Sequence, residues 1–304
     1  MKILVIGGLG TVGKPLVEEL KNRNHEVWIA DKNHSSIDQY IRCDISEYRQ
    51  VERLFEQNFD FVYHLAAEFG RINGETFYEN LWKTNAIGTK NILRMQEKKK
   101  FKMIFTSSSE IYGNSKMIMH EDVPMQHTIR QLNDYAISKW VNELQIMNSM
   151  DVFDTKTVRL RLFNIYGPGE YYSKYRSVIC QFIYKALHSL PYTIYLKHHR
   201  SSLYIDDAVR TMANVVDNFK SGEVYNISGE EYHDIKTVSD TILNLLGKQD
   251  DAVTYMDIDR HNTLDKRASN DKAKKDLEHE ITVDLKEGIK RTIDWQKEVY
   301  KIGD

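Results

Sequence analysis

A buried strand that runs straight into a glycine-rich turn and then a helix leaves a chain few folds to choose from. Residues 2–6, Lys-Ile-Leu-Val-Ile, are a continuous apolar run of the kind a parallel strand covered on both faces requires. Gly7, Gly10 and Gly13 follow at three-residue intervals, with Thr11 and Val12 between the last two, and a helical pattern runs from Lys14 to Lys21. Glycines there permit a tight turn and let the backbone approach a pyrophosphate seated on the helix N-terminus. An ordinary turn also uses glycine, so it is the position between strand and helix that points to a dinucleotide. The next strand, Glu26 to Asp31, ends on an acid about twenty residues past the glycines, where a carboxylate accepts from the adenosine ribose hydroxyls and repels a 2′-phosphate. That favours NAD over NADP, with the adjacent Lys32 pulling the other way.

The pattern then repeats. Tyr40 to Ile45 reads as a third strand whose end, Asp44 and Ile45, borders an adenine or is plain strand-end polarity. A helical stretch over 47–58 leads to a fourth strand over 59–67, where Leu65, Ala66 and Ala67 leave space for a cofactor at the carboxyl end. His64 within it reads as a hydrogen-bonded core histidine. An amphipathic helix is expected over 75–98, with Asn85 reaching back to a strand backbone. Strands over 102–109 and 157–164 flank a helix over 133–150. Strands alternating with helices predict a doubly wound parallel α/β sheet with right-handed crossovers. Tyr166-Gly-Pro-Gly169 is a strong turn signal and marks a domain edge. Beyond it, helices are expected over 237–246 and 285–301, with a strand near 252–257.

The chemistry is concentrated between 105 and 139. Tyr135 and Lys139 are four residues apart and share one helix face. A Lys ammonium beside a phenol favours the phenolate, and a phenol so tuned acts as a general base on a sugar hydroxyl. Ser108, at the end of a strand, is placed to bond the same hydroxyl. An exposed helical pair is the bland alternative.

Bulk properties exclude other classes. The net charge of −2 gives no basic field for nucleic acid or an anionic membrane. Cys43 and Cys180 lie far apart, which fits a reducing cytosol. No apolar run approaches a membrane span. Adjacent histidines at 198 and 199 point apart and do not make a metal site.

Taken together, the glycines, Asp31, Ser108, Tyr135 and Lys139 resemble the extended short-chain dehydrogenases/reductases of the nucleotide-sugar epimerase/dehydratase family. The resemblance continues through His-Leu-Ala-Ala at 64–67, Asn-x-x-Gly-Thr at 85–89, Arg161 to Pro168, Arg200 to Asp207, Tyr225 to Gly229 and Arg267 to Asp271. It implies an NAD-binding Rossmann domain over 1–165 with roughly 201–228, and a smaller mixed α/β nucleotide-sugar-binding domain over 166–200 and 229–304. Tyr135 would take the proton of the sugar 4-hydroxyl, Lys139 would hold the nicotinamide ribose, and Ser108 and Ser109 would face the sugar. Gly7, Gly10, Thr11, Val12, Gly13, Asp31, Asp44, Ile45, Leu65, Ala66, Ala67 and Asn85 would complete the NAD site. Asn164, Arg176, Arg200 and Arg267 would meet the sugar nucleotide, its diphosphate wanting guanidinium forks; surface ion pairs are the alternative for each Arg.

Glu110 stands where dehydratases of the family carry the base for the C5 proton. The preceding residue is Ser109, not the Asp of dTDP-glucose dehydratases, so Ser-Ser-Glu is closer to GDP-mannose dehydratases and UDP-glucuronate decarboxylases. The resemblance therefore implies a 4-keto intermediate followed by 4,6-dehydration or C4 epimerisation. Decarboxylation, an NADPH-dependent keto-sugar reductase and a non-catalytic NAD sensor are the alternatives. A homodimer through the helices at 75–98 and 133–150 is the implied assembly.

Overall fold

The computed structural model describes residues 1–259 and 262–303. Seven strands lie parallel in one sheet: β1 (Lys2–Ile6), β2 (Glu26–Asp31), β3 (Tyr40–Arg42), β4 (Phe61–His64), β5 (Lys102–Ser108), β6 (Lys156–Leu162) and β7 (Val224–Ile227). Their order is β7-β6-β5-β4-β1-β2-β3. The chain winds outward from β1 in one direction, then returns to build β4 onwards in the other. A crevice therefore opens between β1 and β4 at their carboxyl ends, the place where open α/β sheets bind ligands.

β1 shows why its apolar run is continuous. Ile3 and Val5 point into a core shared with Leu16, Val17 and Leu20 of helix Gly13–Asn22. Leu4 and Ile6 point into the opposite core, against Ile92, Leu93 and Ile146. Both faces are covered by helices, so the four buried positions after Lys2 are all apolar.

Helix Asp134–Phe153 begins at Asn133, whose Oδ1 accepts from the Ala136 amide at 2.8 Å, and stops at Asp154 in a left-handed conformation. Asn supplies the oxygen a helix start needs and Asp tolerates the reversed φ. The helix expected over 75–98 is instead interrupted. Helices Arg71–Thr76 and Tyr78–Trp82 lead into a π-helical turn, Lys83–Gly88, before Thr89–Lys99 resumes the α-form. Gly88 in that turn lies against Ile45, whose Cδ1 a side chain there would meet at 2.7 Å.

The remaining chain builds small sheets beside the crevice. Tyr192–Tyr195 pairs in parallel with Val253–Met256. His199–Ser201 lies between Tyr232–Asp234 and Asp265–Lys266. Helices Val178–Leu187, Ile235–Leu246 and Leu285–Tyr300 pack around them. Among the described residues no helix is long and apolar enough to cross a membrane.

Candidate active site

The crevice is a cavity of about 1430 Å³, larger than the roughly 300–1,000 Å³ that holds one small ligand. At one end lies the glycine turn. Gly7 has φ +85°, and a side chain there would strike the Ala66 amide nitrogen at 2.7 Å. A side chain at Gly13 would lie 2.2 Å from the Gly7 carbonyl. The turn closes only with glycine at both positions, and it leaves the start of helix Gly13–Asn22 open to an anion. Asp31 Oδ2 accepts from the Leu9 amide at 3.1 Å, which fixes its carboxylate beside the turn. Lys32 is drawn off to Glu68, 2.7 Å away. The cation that argued for a 2′-phosphate is thus neutralised. Replacing Asp31 with Ala is expected to lower NAD-over-NADP discrimination about 10–100-fold, the value of one or two hydrogen bonds to a charged group, whereas Lys32→Ala leaves it unchanged. The ratio of the two dissociation constants checks this.

At the centre, helix Asp134–Phe153 is fastened to β5 on one face. Ser108 hydrogen-bonds the Tyr135 phenol. Lys139 Nζ donates to the Thr106 carbonyl at 2.8 Å, and Ser107 Oγ donates to Glu143 Oε1 at 2.5 Å. Tyr135, Lys139 and Glu143 follow at four-residue steps, so the helical period brings all three to the strand. The electrostatics differ from the sequence expectation. Burial pushes the Tyr135 phenol up to about 12, and the Glu110 charge adds to the rise against the Ser108 hydrogen bond. Lys139 does not act on the phenol here. Burial lowers its own ammonium to about 8, and the Glu143 charge partly restores it.

Beyond Tyr135, Glu110 forms an ion pair with Lys266, and both line the cavity. Burial raises the Glu110 carboxyl, but Lys266, Arg200 and a hydrogen bond from Asn133 outweigh it and hold the group below the usual carboxylate range. Lys266 is lowered by burial against the opposing pull of Glu110. Arg200 is held by the His199 and Leu264 carbonyls, each at 2.8 Å. Asn164, at φ +42°, donates to the Ser201 carbonyl at 3.2 Å.

Of the residues singled out from sequence, Gly7, Gly10, Thr11, Val12, Gly13, Asp31, Asp44, Ile45, Leu65, Ala66, Ala67, Ser108, Ser109, Glu110, Tyr135, Lys139, Asn164, Arg176 and Arg200 all line the cavity. Two do not. Asn85 is buried behind it, its amide bonded to the Glu68 backbone at 2.8 and 3.0 Å and to Ser138 at 2.9 Å. It supports the loop after β4 rather than touching the crevice. Arg267 is exposed, its guanidinium 5.7 Å over the Tyr232 ring. Its neighbour Lys266 takes the inward place because Lys266, not Arg267, is in register with Arg200.

Residues 3–228 match the NAD dependent epimerase/dehydratase family. The chain belongs to that family. NAD is therefore its cofactor, and the glycine turn with Asp31 fits it. The chain is 29% identical, over 98% of its own length and 98% of the relative's, to a UDP-N-acetyl-alpha-D-glucosaminuronate decarboxylase of Bacillus cytotoxicus. It is 28% identical to a dTDP-D-glucose 4,6-dehydratase of Bos taurus, over 98% of this chain and 89% of that one. Among solved structures, a UDP-glucuronic acid 4-epimerase of Bacillus cereus in complex with UDP-glucuronic acid and NAD superposes with TM-score 0.88, at 26% identity, covering 99% of this chain and 100% of that one. The three relatives carry three different activities, so family membership leaves the outcome after oxidation to be argued from the site.

Proposed function

We propose that this enzyme oxidises a nucleoside-diphosphate sugar at C4 and then eliminates water across C5 and C6, the product being a 4-keto-6-deoxy sugar nucleotide. The observation that carries the first half is the Ser108–Tyr135 hydrogen bond beside Lys139, in the crevice that begins at the glycine turn. NAD bound there supplies the acceptor for the C4 hydride and later its return. Tyr135 takes the hydroxyl proton as general base, and Ser108 orients that hydroxyl through its own Oγ. Glu110, ionised beside Lys266, is the base for the C5 proton, and the Lys266 ammonium is the proton donor closest to it for the departing hydroxyl. Arg200 and Asn164 hold the diphosphate.

A second reading is supported by the same ion pair. The Lys266 ammonium also suits a sugar carboxylate at C5, which would be lost as carbon dioxide from the 4-keto stage; simple C4 epimerisation needs neither Glu110 nor Lys266. Incubation with a panel of nucleotide sugars and mass analysis separates the three: loss of water, loss of carbon dioxide, or unchanged mass with an altered sugar. Only the first supports dehydration. Exposed apolar side chains at Phe77, Tyr78, Ile87, Ile137 and Leu144, on the two helical segments that pair in the expected dimer, support a homodimeric assembly.

A further inference from the structure

A second ion pair lies at the Glu110 end of the cavity and joins its two walls. Arg71 begins helix Arg71–Thr76, and its Nη2 is 2.9 Å from Oδ2 of Asp259, which follows strand Val253–Met256. Both side chains line the cavity and are half-buried. Arg200 places the pair, because the charges of Glu110 and of Asp259 both act on it. Each end is braced from behind. On one wall the helix of Arg71 packs on the catalytic tyrosine: a side chain at Gly74 would lie 3.6 Å from Tyr135 Cβ. Asn73 Nδ2 ties the same helix to Glu68 Oε2 at 3.1 Å. On the other wall the Asp259 amide donates to Nε2 of buried His198 at 3.0 Å. An amide only donates, so the ring proton sits on Nδ1, which donates to the Thr263 carbonyl at 3.0 Å. Arg71 also has a second carboxylate within reach, Glu75 of its own helix, at 3.7 Å.

A guanidinium with one carboxylate across the cavity and another on its own helix has two discrete places to rest, which is what a closure that opens and shuts requires. We infer that the Arg71–Asp259 bridge closes the sugar end of the cavity: it parts to admit the sugar of the nucleotide, Arg71 turning to Glu75, and re-forms over the bound ring. The inference rests on the reading of the site as one that oxidises a sugar at C4. A half-exposed ion pair is weak enough to part in each cycle, and closure commits the substrate and excludes water. The need is greatest at the ketone stage. The C4 hydride has then passed to the cofactor and the hydroxyl proton to Tyr135, so a ketone that escapes is two hydrogens short and leaves the cofactor reduced with nothing to accept its hydride. Asp259 and Arg71 are positioning residues, and His198 holds Asp259 at the height where the bridge can form.

The test uses the full chain in a Tyr135→Phe background, where the sugar nucleotide is held but not oxidised. Asp259→Asn, Arg71→Met and the two together are compared with that parent. Release of UDP-glucose or dTDP-glucose, whichever binds, is timed beside release of the matching nucleoside diphosphate. Each single variant is expected to release the sugar nucleotide about fivefold faster, the effect of an ion pair at the upper end of its usual range. The double variant should be no faster than either single one, and release of the bare diphosphate should not change. With Tyr135 restored, Asp259→Asn should leak a sugar nucleotide two hydrogens lighter than the substrate and accumulate reduced cofactor. Release unchanged in Asp259→Asn would overturn the inference. So would equal acceleration of the bare diphosphate, which would mean general loosening, or single effects that multiply in the double variant, which would mean two independent side chains. Should Arg71→Met not fold, the near-isosteric Asp259→Asn decides alone. A parent protein that binds neither sugar nucleotide would sink the reading of the site and the bridge with it, so that failure is told apart from failure of the bridge alone.

Discussion

Replacing Tyr135 with Phe is expected to lower kcat about 10²–10⁴-fold, the range that a positioned acid–base group supplies. The substitution removes one oxygen from a half-buried ring, so the fold and NAD binding should survive. The pH dependence gives a sharper reading. Burial holds the phenol at about 12, so it stays neutral well past the range of an ordinary tyrosine. A base must first lose its proton, hence the rate rises with pH from neutrality upwards. An oxidised nicotinamide is cationic and favours the phenolate, so loading with NAD should bring the titration down. The phenolate absorbance of wild type minus Tyr135→Phe, followed with pH with and without NAD, measures both positions. A variant that keeps turnover within threefold of wild type would remove Tyr135 from the chemistry.

The second large effect is on stability. Beneath the site, Glu143 is fully buried and accepts from Arg161 Nε at 3.0 Å and Nη2 at 2.9 Å, from Arg159 Nη1 at 3.4 Å and from Ser107. Arg161 continues to the Tyr112 hydroxyl at 2.8 Å and the Glu121 carbonyl at 2.7 Å, and Tyr112 to Asn226 of β7 at 2.7 Å. The network ties β5, β6, β7 and the catalytic helix together. Arg161→Met is expected to destabilise the protein by about 3–5 kcal/mol, because it strands the Glu143 charge in the core. Arg161→Met with Glu143→Met should recover part of that loss, since it removes the stranded carboxylate, while the buried Arg159 gives up that partner and keeps its bond to the Gly222 carbonyl. Burial raises the Glu143 carboxyl, but Arg161, Arg159 and Ser107 outweigh it and hold the group below the usual range. A carboxyl so depressed stabilises above its unfolded pKa, and the contribution is lost as pH falls through the folded one. Arg161→Met should therefore flatten the acid limb of the stability profile. Denaturant midpoints over a pH series decide it: an Arg161→Met midpoint equal to wild type would make the network incidental.

Local spacing made most of the site legible. The glycine interval between an apolar run and a helix, and the four-residue step from Tyr135 to Lys139, are facts of the chain that the backbone must honour. What escaped depends on pairing between distant segments. Whether Lys266 or Arg267 enters the cavity is a question of parity on a two-residue strand, decided by alignment with Arg200. Asn85 braces the backbone of the loop after β4 and not a strand, and helical period does not tell that it lies behind the crevice and not in its lining. The single helix expected over 75–98 failed at Gly88, where contact with Ile45 accompanies a wider turn that amphipathic spacing cannot register. Glu143 was within reach, one more four-residue step past Lys139, with Arg159 and Arg161 spaced two apart on a strand as its partners.

The position of β7 has a consequence for biogenesis. It joins the sheet beside β6 from residue 224, after most of the segments that wall the crevice have been made. Until a ribosome has extruded that stretch, the border of β6 offers bare amides and carbonyls to any other nascent strand, and Tyr112 lacks its Asn226 acceptor. Synthesis paused just short of this point would leave the polypeptide at its most adhesive, and truncations ending there should accumulate as aggregates while those a few dozen residues longer begin to stay in solution.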